Sequence, residues 1–473
     1  MLTFFLILTY AVGMRDVLGR KIKYKGIHKH FFLTYSELKL YSEVSILIIH
    51  VVKPGESIYN IAQRYGVSPE KIIADNELSE PNRLVVGQTI VVLEGQRRHT
   101  VLPGQSLYGI ARQYGVAVND LIAANPQVGA NGVIYPGQVL TIPSRTAKRG
   151  TIEVNGYALP NINMEVLRKT LPNLTYLSIF SYEVNPDGTL RPINDEPLIQ
   201  AARAANVAPL MVITNLEAGG GFSSEVAKAI LTNDDVQERL IANILENLRT
   251  KNYYGLDIDF EYIYPENRED YNNFLRKVTS RLRDQGYTVT TALAPKISAE
   301  QEGVLYEAHD YPVHGALVDH VILMTYEWGY TYSPPMAVAP VDEIRRVLNY
   351  AVSAIPREKI FMGIPNYGYD WTLPYARGSR ATTVSNTGAV DLARTRRAAI
   401  EYDAESQSPF FNYYDTNGKQ HEVWFEDARS IQAKLNLVEE YNLGGISYWT
   451  IGRYFPQNWL VVNALYDVRK VLS

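Results

Sequence analysis

GLDIDFEY, residues 255–262, alternates apolar and acidic side chains. Successive side chains of an extended strand point to opposite faces, so Leu256, Ile258 and Phe260 share one face and Asp257, Asp259 and Glu261 the other. With the apolar face packed on helices, the three carboxylates point into the interior of a sheet, where an unpaired charge costs several kcal/mol. Such a strand is destabilising unless its acids serve a proton or a metal. Two blander readings stand beside this one. A solvated face is opposed by the apolar flanks. A divalent-cation site would recruit further acids, and no histidine lies within the motif.

Seven further segments read as buried strands: 152–159, 174–184, 208–217, 288–295, 320–328, 359–369 and 444–452. Amphipathic helical stretches, such as 224–250, 266–285 and 341–354, join most of them. Eight strands with helical crossovers predict an α/β fold of the (β/α)₈ barrel type, in which catalytic groups gather at the C-terminal strand ends. An open doubly wound sheet is the alternative, but no Gly-rich phosphate loop follows any strand. Between the seventh and eighth strands, about 370–426 reads as a small α+β insertion. It holds a helical run at 389–401 and a hairpin around Asn417-Gly418.

Upstream, HVVKPGESIYNIAQRYGVSPEKIIADN from His50 is answered by HTVLPGQSLYGIARQYGVAVNDLIAAN from His99, 49 residues on. Each copy reads as strand, Pro-Gly turn, two helices separated by Gly-Val, and a closing strand after Gly87-Gln88 or Gly137-Gln138, a βααβ unit. The expected organisation is therefore an extension over 1–46, one module over 47–94, a second over 97–143, a polar linker at 144–150 and a barrel over 151–473. The apolar run MLTFFLILTYAVG is too short to span a bilayer, and no basic residue precedes it as a secretory signal requires.

Composition narrows the function. Of 473 residues, 46% are hydrophobic and 20% charged, the balance of a folded globular chain. A net charge of −4 supplies no broad attraction to nucleic acid. There are no cysteines, which removes thiol chemistry and disulfides. Tyr is abundant at 34 residues, a side chain able both to pack and to stack on sugars.

The repeats resemble the LysM module over nearly all of 48–143. That resemblance implies a shallow groove for GlcNAc-containing glycans, at Gly55, Glu56, Ser57 and Asn76 in the first copy and Gly104, Gln105, Ser106 and Asn125 in the second. Two linked weak sites would add avidity on a polymer. From about 150 onward the chain resembles the family-eighteen glycoside hydrolases, whose fourth barrel strand carries DxxDxDxE. Gly156-Tyr157, Met324-Thr325-Tyr326, Gly363-Ile364-Pro365 with Tyr367-Gly368, and Trp449 agree with it. Within that family the chain looks most like bacterial spore-cortex glycosidases that begin with paired LysM modules. It departs from the pattern twice: Tyr254 stands where the family has its first aspartate, and Glu327 where an aspartate usually follows the sixth-strand tyrosine.

The resemblance implies retaining, substrate-assisted hydrolysis with no metal and no cofactor, an exception to the two-carboxylate scheme. Glu261 is then the proton donor and later the base, Asp259 orients the acetamido group, Asp257 shares with Asp259 in proton cycling, and Tyr326 bonds the acetamido carbonyl. Trp449, Tyr157, Glu327 and Tyr367 are the expected sugar contacts. Trp328, Trp371 and Trp424 are as readily packing residues, and His309, His314 and His320 read as structural. Because the reacting sugar must carry a free N-acetyl group, and much cortical muramic acid is a lactam, the bond cut should be that of GlcNAc. The expected partner is peptidoglycan or a related glycan, met at the spore cortex, coat or cell wall by a monomer. A chitinase and an inactive glycan-binding protein are the alternatives, the latter opposed by the retained Glu261.

Overall fold

The computed structural model describes residues 47–93, 97–129, 132–142, 148–217 and 219–472. The expected extension over 1–46 lies outside them, as does most of the linker. No helix among the described residues is long and apolar enough to cross a membrane.

The eight barrel strands are β1 (Thr151–Ala158), β2 (Tyr176–Glu183), β3 (Ala208–Thr214), β4 (Gly255–Asp259), β5 (Thr288–Leu293), β6 (His320–Leu323), β7 (Ile360–Pro365) and β8 (Gly445–Trp449). Each pairs in parallel with the next, and β8 returns to β1 through Gly445↔Glu153 and Ile446↔Val154, which closes the cylinder. A two-residue strand, Asp467–Val468, pairs with the start of β1. Closure leaves the barrel without an exposed sheet edge.

Two apolar layers hold it. Outside, Leu256, Ile258 and Phe260 of the quoted stretch join the core between strands and helices. The Phe260 ring lies nearly parallel to Phe274, at 5° and 6.1 Å, and to Tyr271, both on the helix Arg268–Arg283. Inside, Tyr157, Tyr176, Leu210, Val212, Ile322 and Phe361 fill the cylinder. Burying so large an apolar surface at about 25 cal/mol per Å² is what can offset the desolvation of acids at one end.

Local chemistry adjusts several expected boundaries. The stretch 224–250 is two helices, Ser224–Leu231 and Asp234–Thr250, because the Asn233 side chain accepts from Asp235 N and Val236 N and caps the second. The seventh strand stops at Pro365; Gly368–Thr372 leaves the barrel and pairs with Gln420–Trp424. In the resulting five-stranded antiparallel sheet the other members are Thr382–Val384, Ser408–Tyr414 and Glu401–Asp403. Its helix is Asn386–Arg396 rather than 389–401, ended by Arg397 in the left-handed conformation at φ 56°. The hairpin turn is the five residues Asp415–Lys419 rather than a tight Asn-Gly turn, since Tyr414 pairs with Gln420. Asp415 Oδ1 accepts from Asn417 N at 2.8 Å and Lys419 N at 2.9 Å, so the aspartate builds the turn and only Gly418 takes a positive φ.

Each repeat is a βααβ unit. The first pairs Ile48–Val51 with Thr89–Val92 around the helices Ile58–Tyr65 and Pro69–Asn76. The second pairs Arg97–Thr100 with Val139–Ile142 around Leu107–Gln113 and Val118–Ala123.

Candidate active site

Past the C-terminal ends of the strands lies a cavity of about 580 Å³. Asp259 and Glu261 reach it from β4 and the turn after it, Tyr326 from the end of β6, Trp449 from β8 and Tyr157 from β1. Asp257 sits one step deeper, fully buried, where its Oδ2 accepts from Ser178 Oγ at 2.9 Å. Ser178 Oγ also contacts Asn155 Oδ1 at 3.1 Å, and Asn155 donates to Ser447 Oγ at 3.0 Å, a polar belt across β1, β2 and β8. The acids thus stack along one side of β4 from the interior to the mouth.

Such a column cannot hold three charges. Burial pushes the Asp257 carboxyl up to about 6, against the lowering pull of the neighbouring Tyr157 and Ser178 hydroxyls. Burial likewise holds Glu261 up at about 7. Asp259 lies between them and is raised by burial and by the charges of Glu261 and Asp257. Asp257 Oδ1 and Asp259 Oδ1 are buried without a hydrogen-bond partner. A buried carboxylate oxygen left open beside a cavity suits a shared proton or an incoming N–H donor.

The backbone around Glu261 is clamped from both sides. Asn215, just past β3, accepts from Glu261 N at 2.9 Å and donates to Glu261 O at 2.8 Å. On the preceding residue, the buried His309 donates through Nε2 to Phe260 O at 3.0 Å while its Nδ1 accepts from Ala294 N at 2.9 Å. That fixes His309 as the neutral Nε2–H tautomer, and burial lowers its pKa to about 4. Tyr262 then turns the chain at φ 53°. Asn215 was not foreseen, because its role depends on a neighbour 46 residues away. His309 is structural as expected, and so is His314, buried with Nδ1 3.2 Å from Thr291 Oγ1.

Tyr326 has room because residue 363 is glycine: a Cβ there would lie 2.5 Å from Leu323 O and 2.8 Å from the Tyr326 ring. Trp449 meets Phe180 and Tyr157 edge-on, at 4.7 and 5.4 Å between ring centroids. Glu327, also in the left-handed region at φ 67°, stands at the rim; its carboxylate accepts from the Tyr367 and Tyr369 hydroxyls. Tyr367 is therefore corrected: it is buried behind Glu327 rather than lining the cavity. Tyr254 packs on Tyr176 at 6.2 Å among the interior side chains, away from the mouth.

Several lining residues were not expected as sugar contacts: Phe180, Phe222, Tyr262, Tyr306, Trp328 and Tyr330. The signal available in sequence was only an aromatic just after a strand end, as Tyr262 follows Glu261 and Trp328 follows Glu327. Trp371, by contrast, is buried and donates to Ser333 O at 2.8 Å, and Trp424 stacks on Phe410 at 4.6 Å.

In the repeats the expected glycan residues split by role. Asn76 is buried; its amide donates to Ile72 O and Val91 O and accepts from Val91 N. Asn125 makes the same three bonds, to Leu121 O, Thr141 O and Thr141 N. These two side chains tie the second helix to the closing strand and do not form a surface. Ser57 and Ser106 cap the first helices, and Gly55 and Gly104 turn the chain at φ 80° and 84°. Glu56 accepts from Lys53 N and from His50 and Arg64; burial opposes its charge, but these donors prevail and hold it at about 2. Gln105 takes the same place, accepting from Leu102 N at 2.8 Å and meeting His99 at 2.7 Å.

Residues 155–453 match the model of glycosyl hydrolases family 18, and residues 50–93 and 99–143 match the LysM domain. The chain is 46% identical over 430 residues to the cortical fragment-lytic enzyme of Bacillus subtilis (strain 168), covering 89% of this chain and 99% of that one. It is 44% identical over 430 residues to the cortical fragment-lytic enzyme of Bacillus anthracis, with the same coverage. Among solved structures, the spore cortex-lytic enzyme SleL of Bacillus megaterium QM B1551 superposes with a TM-score of 0.78 at 42% identity, covering 89% of this chain and 98% of that one.

Proposed function

The chain belongs to the glycosyl hydrolases of family 18, with two LysM domains ahead of the barrel, and on that premise we propose that it is a spore-cortex peptidoglycan hydrolase that cuts GlcNAc glycosidic bonds. The observation that carries the chemistry is the column of carboxyls at the end of β4 and just past it: Asp259, with an open oxygen, and Glu261 line an aromatic cavity, and Asp257 lies buried beneath them. The cortical fragment-lytic enzymes it resembles support the choice of polymer.

In this reading Glu261, which keeps its proton up to about pH 7 because burial penalises its anion, gives that proton to the glycosidic oxygen. The carbonyl oxygen of the sugar's own acetamido group attacks the anomeric carbon, and the bond to the leaving oxygen breaks. The acetamido nitrogen now shares the positive charge of an oxazolinium ion. The open Oδ1 of Asp259 accepts its N–H and offsets the charge, with Asp257 beneath as a buffer for the shared proton. The Tyr326 hydroxyl donates to the carbonyl oxygen and aligns it. Glu261, now ionised, takes a proton from the incoming water, which opens the oxazolinium with retention. Trp449 forms the floor under the reacting ring, Tyr157 its edge, and Glu327, braced by Tyr367, a polar rim.

The reaction requires a free N-acetyl group on the sugar whose bond is cut, which favours an N-acetylglucosaminidase over a muramidase. Mass spectrometry of digested cortex muropeptides should show GlcNAc at the new reducing ends; muramic or muramic-lactam ends would overturn the assignment. Glu261→Gln should lower hydrolysis by at least 10³-fold while leaving binding to insoluble wall intact. Greater turnover of chitin oligomers than of cortex fragments would move the substrate to chitin. Deposition on the developing spore and action as a monomer complete the proposal.

A further inference from the structure

The two repeats present one face to different surroundings. Their correspondence is set by bonds that both copies make: Val85 N donates to the Gln88 side chain and Tyr135 N to that of Gln138, each at 3.0 Å. His50 pairs with Ile90 as His99 pairs with Leu140. Val85 thus corresponds to Tyr135, and Thr89 to Val139.

In the first copy this face is occupied. Val85, 5% exposed, packs with Ile400 and Phe425 in the core of the insertion. Thr89, 3% exposed, donates to Gln457 Oε1 at 2.7 Å, and Gln457 donates back to Thr89 O at 2.7 Å. Ile400 N donates to Val86 O at 2.8 Å, and Arg394 Nε to Arg83 O at 2.9 Å. The approach is so close that a Cβ on Gly87 would lie 1.8 Å from Ile400 O. In the second copy Tyr135 is 67% exposed and Val139 47%. Leu102, 58% exposed, extends the patch, since Gly137 N bonds Val101 O next to it at 2.8 Å.

We propose that the repeats have different tasks: the first is a fixed wall of the catalytic unit, and retention on an insoluble GlcNAc polymer is carried by the second alone, through the exposed face around Tyr135 and Val139. This rests on the glycan reading above. A tyrosine ring beside aliphatic side chains offers an apolar surface to the C–H face of a pyranose and a hydroxyl to its rim. A second copy of the chain is a poor occupant, because so small a patch falls short of the roughly 800 Å² per partner that a stable protein interface buries. The avidity expected of two linked sites is accordingly reduced to one site plus the active-site cleft.

The test measures the fraction of full-length Glu261→Gln chain that sediments with insoluble chitin and with purified cortex peptidoglycan. Tyr135→Ser combined with Val139→Ser should cut retention at least tenfold, whereas Tyr135→Trp, which keeps a stacking ring, should preserve it. Val85→Ser should lower the melting temperature without changing retention in the folded chain. Unchanged retention in the Tyr135/Val139 double variant overturns the proposal. So does loss of retention in folded Val85→Ser, or a dimer in analytical ultracentrifugation that the double variant abolishes. Misfolding is excluded by restoring Glu261, when the double variant should hydrolyse soluble GlcNAc oligomers at the parent rate and melt at the parent temperature. A parent chain that cuts no GlcNAc glycoside, yet whose retention follows Tyr135, would sink the catalytic reading and leave this one standing.

Discussion

Burial holds the Glu261 carboxyl at about 7 where an exposed glutamate would ionise near 4.5, and this has two measurable consequences. In the proposed mechanism proton donation requires the protonated form, so kcat on a soluble oligomer should fall with an apparent pKa near 7 as pH rises. The same shift is a stability term. Because the folded state keeps this proton while the unfolded state has lost it, stability is full below pH about 4.5 and is lost as pH rises through about 7. Glu261→Gln removes that term, so its melting temperature should exceed the parent's at pH 8 and converge with it toward pH 4.5; equal melting at both values would contradict the burial. Asn215 acts one bond away. Asn215→Ala deletes both contacts to the Glu261 peptide and should reduce kcat by about 10–100-fold at little change in KM, since a misplaced proton donor harms the transition state more than the bound sugar. The carboxylates themselves were legible from residue types and alternation alone. Asn215 was not, because a lone asparagine after a strand carries no period or spacing that marks it.

At the scale of elements, legibility followed the strength of the local pattern. All eight barrel strands overlap the eight segments read as buried strands from the sequence. Boundaries moved where a side chain competed with the pattern: Asn233 capped a new helix, Arg397 ended one in the left-handed region, and Asp415 built a five-residue turn where Asn417-Gly418 alone suggested a tight one. The end of β7 was overread for another reason. Tyr367-Gly368-Tyr369 has strand character in either sheet, and pairing with Gln420–Trp424 sends it to the insertion. Tight packing between β6 and β7 also gives a test. Gly363→Ala puts a methyl 2.5 Å from Leu323 O and 2.8 Å from the Tyr326 ring, so it should cost about 1–3 kcal/mol in chemical denaturation and lower kcat by displacing Tyr326. A variant as active and as stable as the parent would show that the tyrosine is not held by this contact.

Across the whole molecule, the first repeat, the insertion and the barrel share buried contacts, with Leu47 and Val91 lying in the main barrel core itself. Calorimetry should therefore show this repeat and the barrel melting in one transition. Gln457→Ala, which removes three hydrogen bonds bridging them, should lower that transition by several degrees while leaving soluble-oligomer kcat within about twofold. Separate melting of the first repeat would refute the shared unit. The amino-acid sequence by itself determined the repeat, the eight-stranded barrel and the acid face of β4, because these depend on periodicity and residue type, which act between near neighbours in the chain. Only the tertiary structure decided which end of that acid column opens to the cavity, which aromatics line it, that Asn76 and Asn125 are scaffold rather than surface, and that two repeats of the same fold meet different surroundings. Those outcomes depend on contacts between segments tens to hundreds of residues apart, and close packing rather than any local pattern selects them.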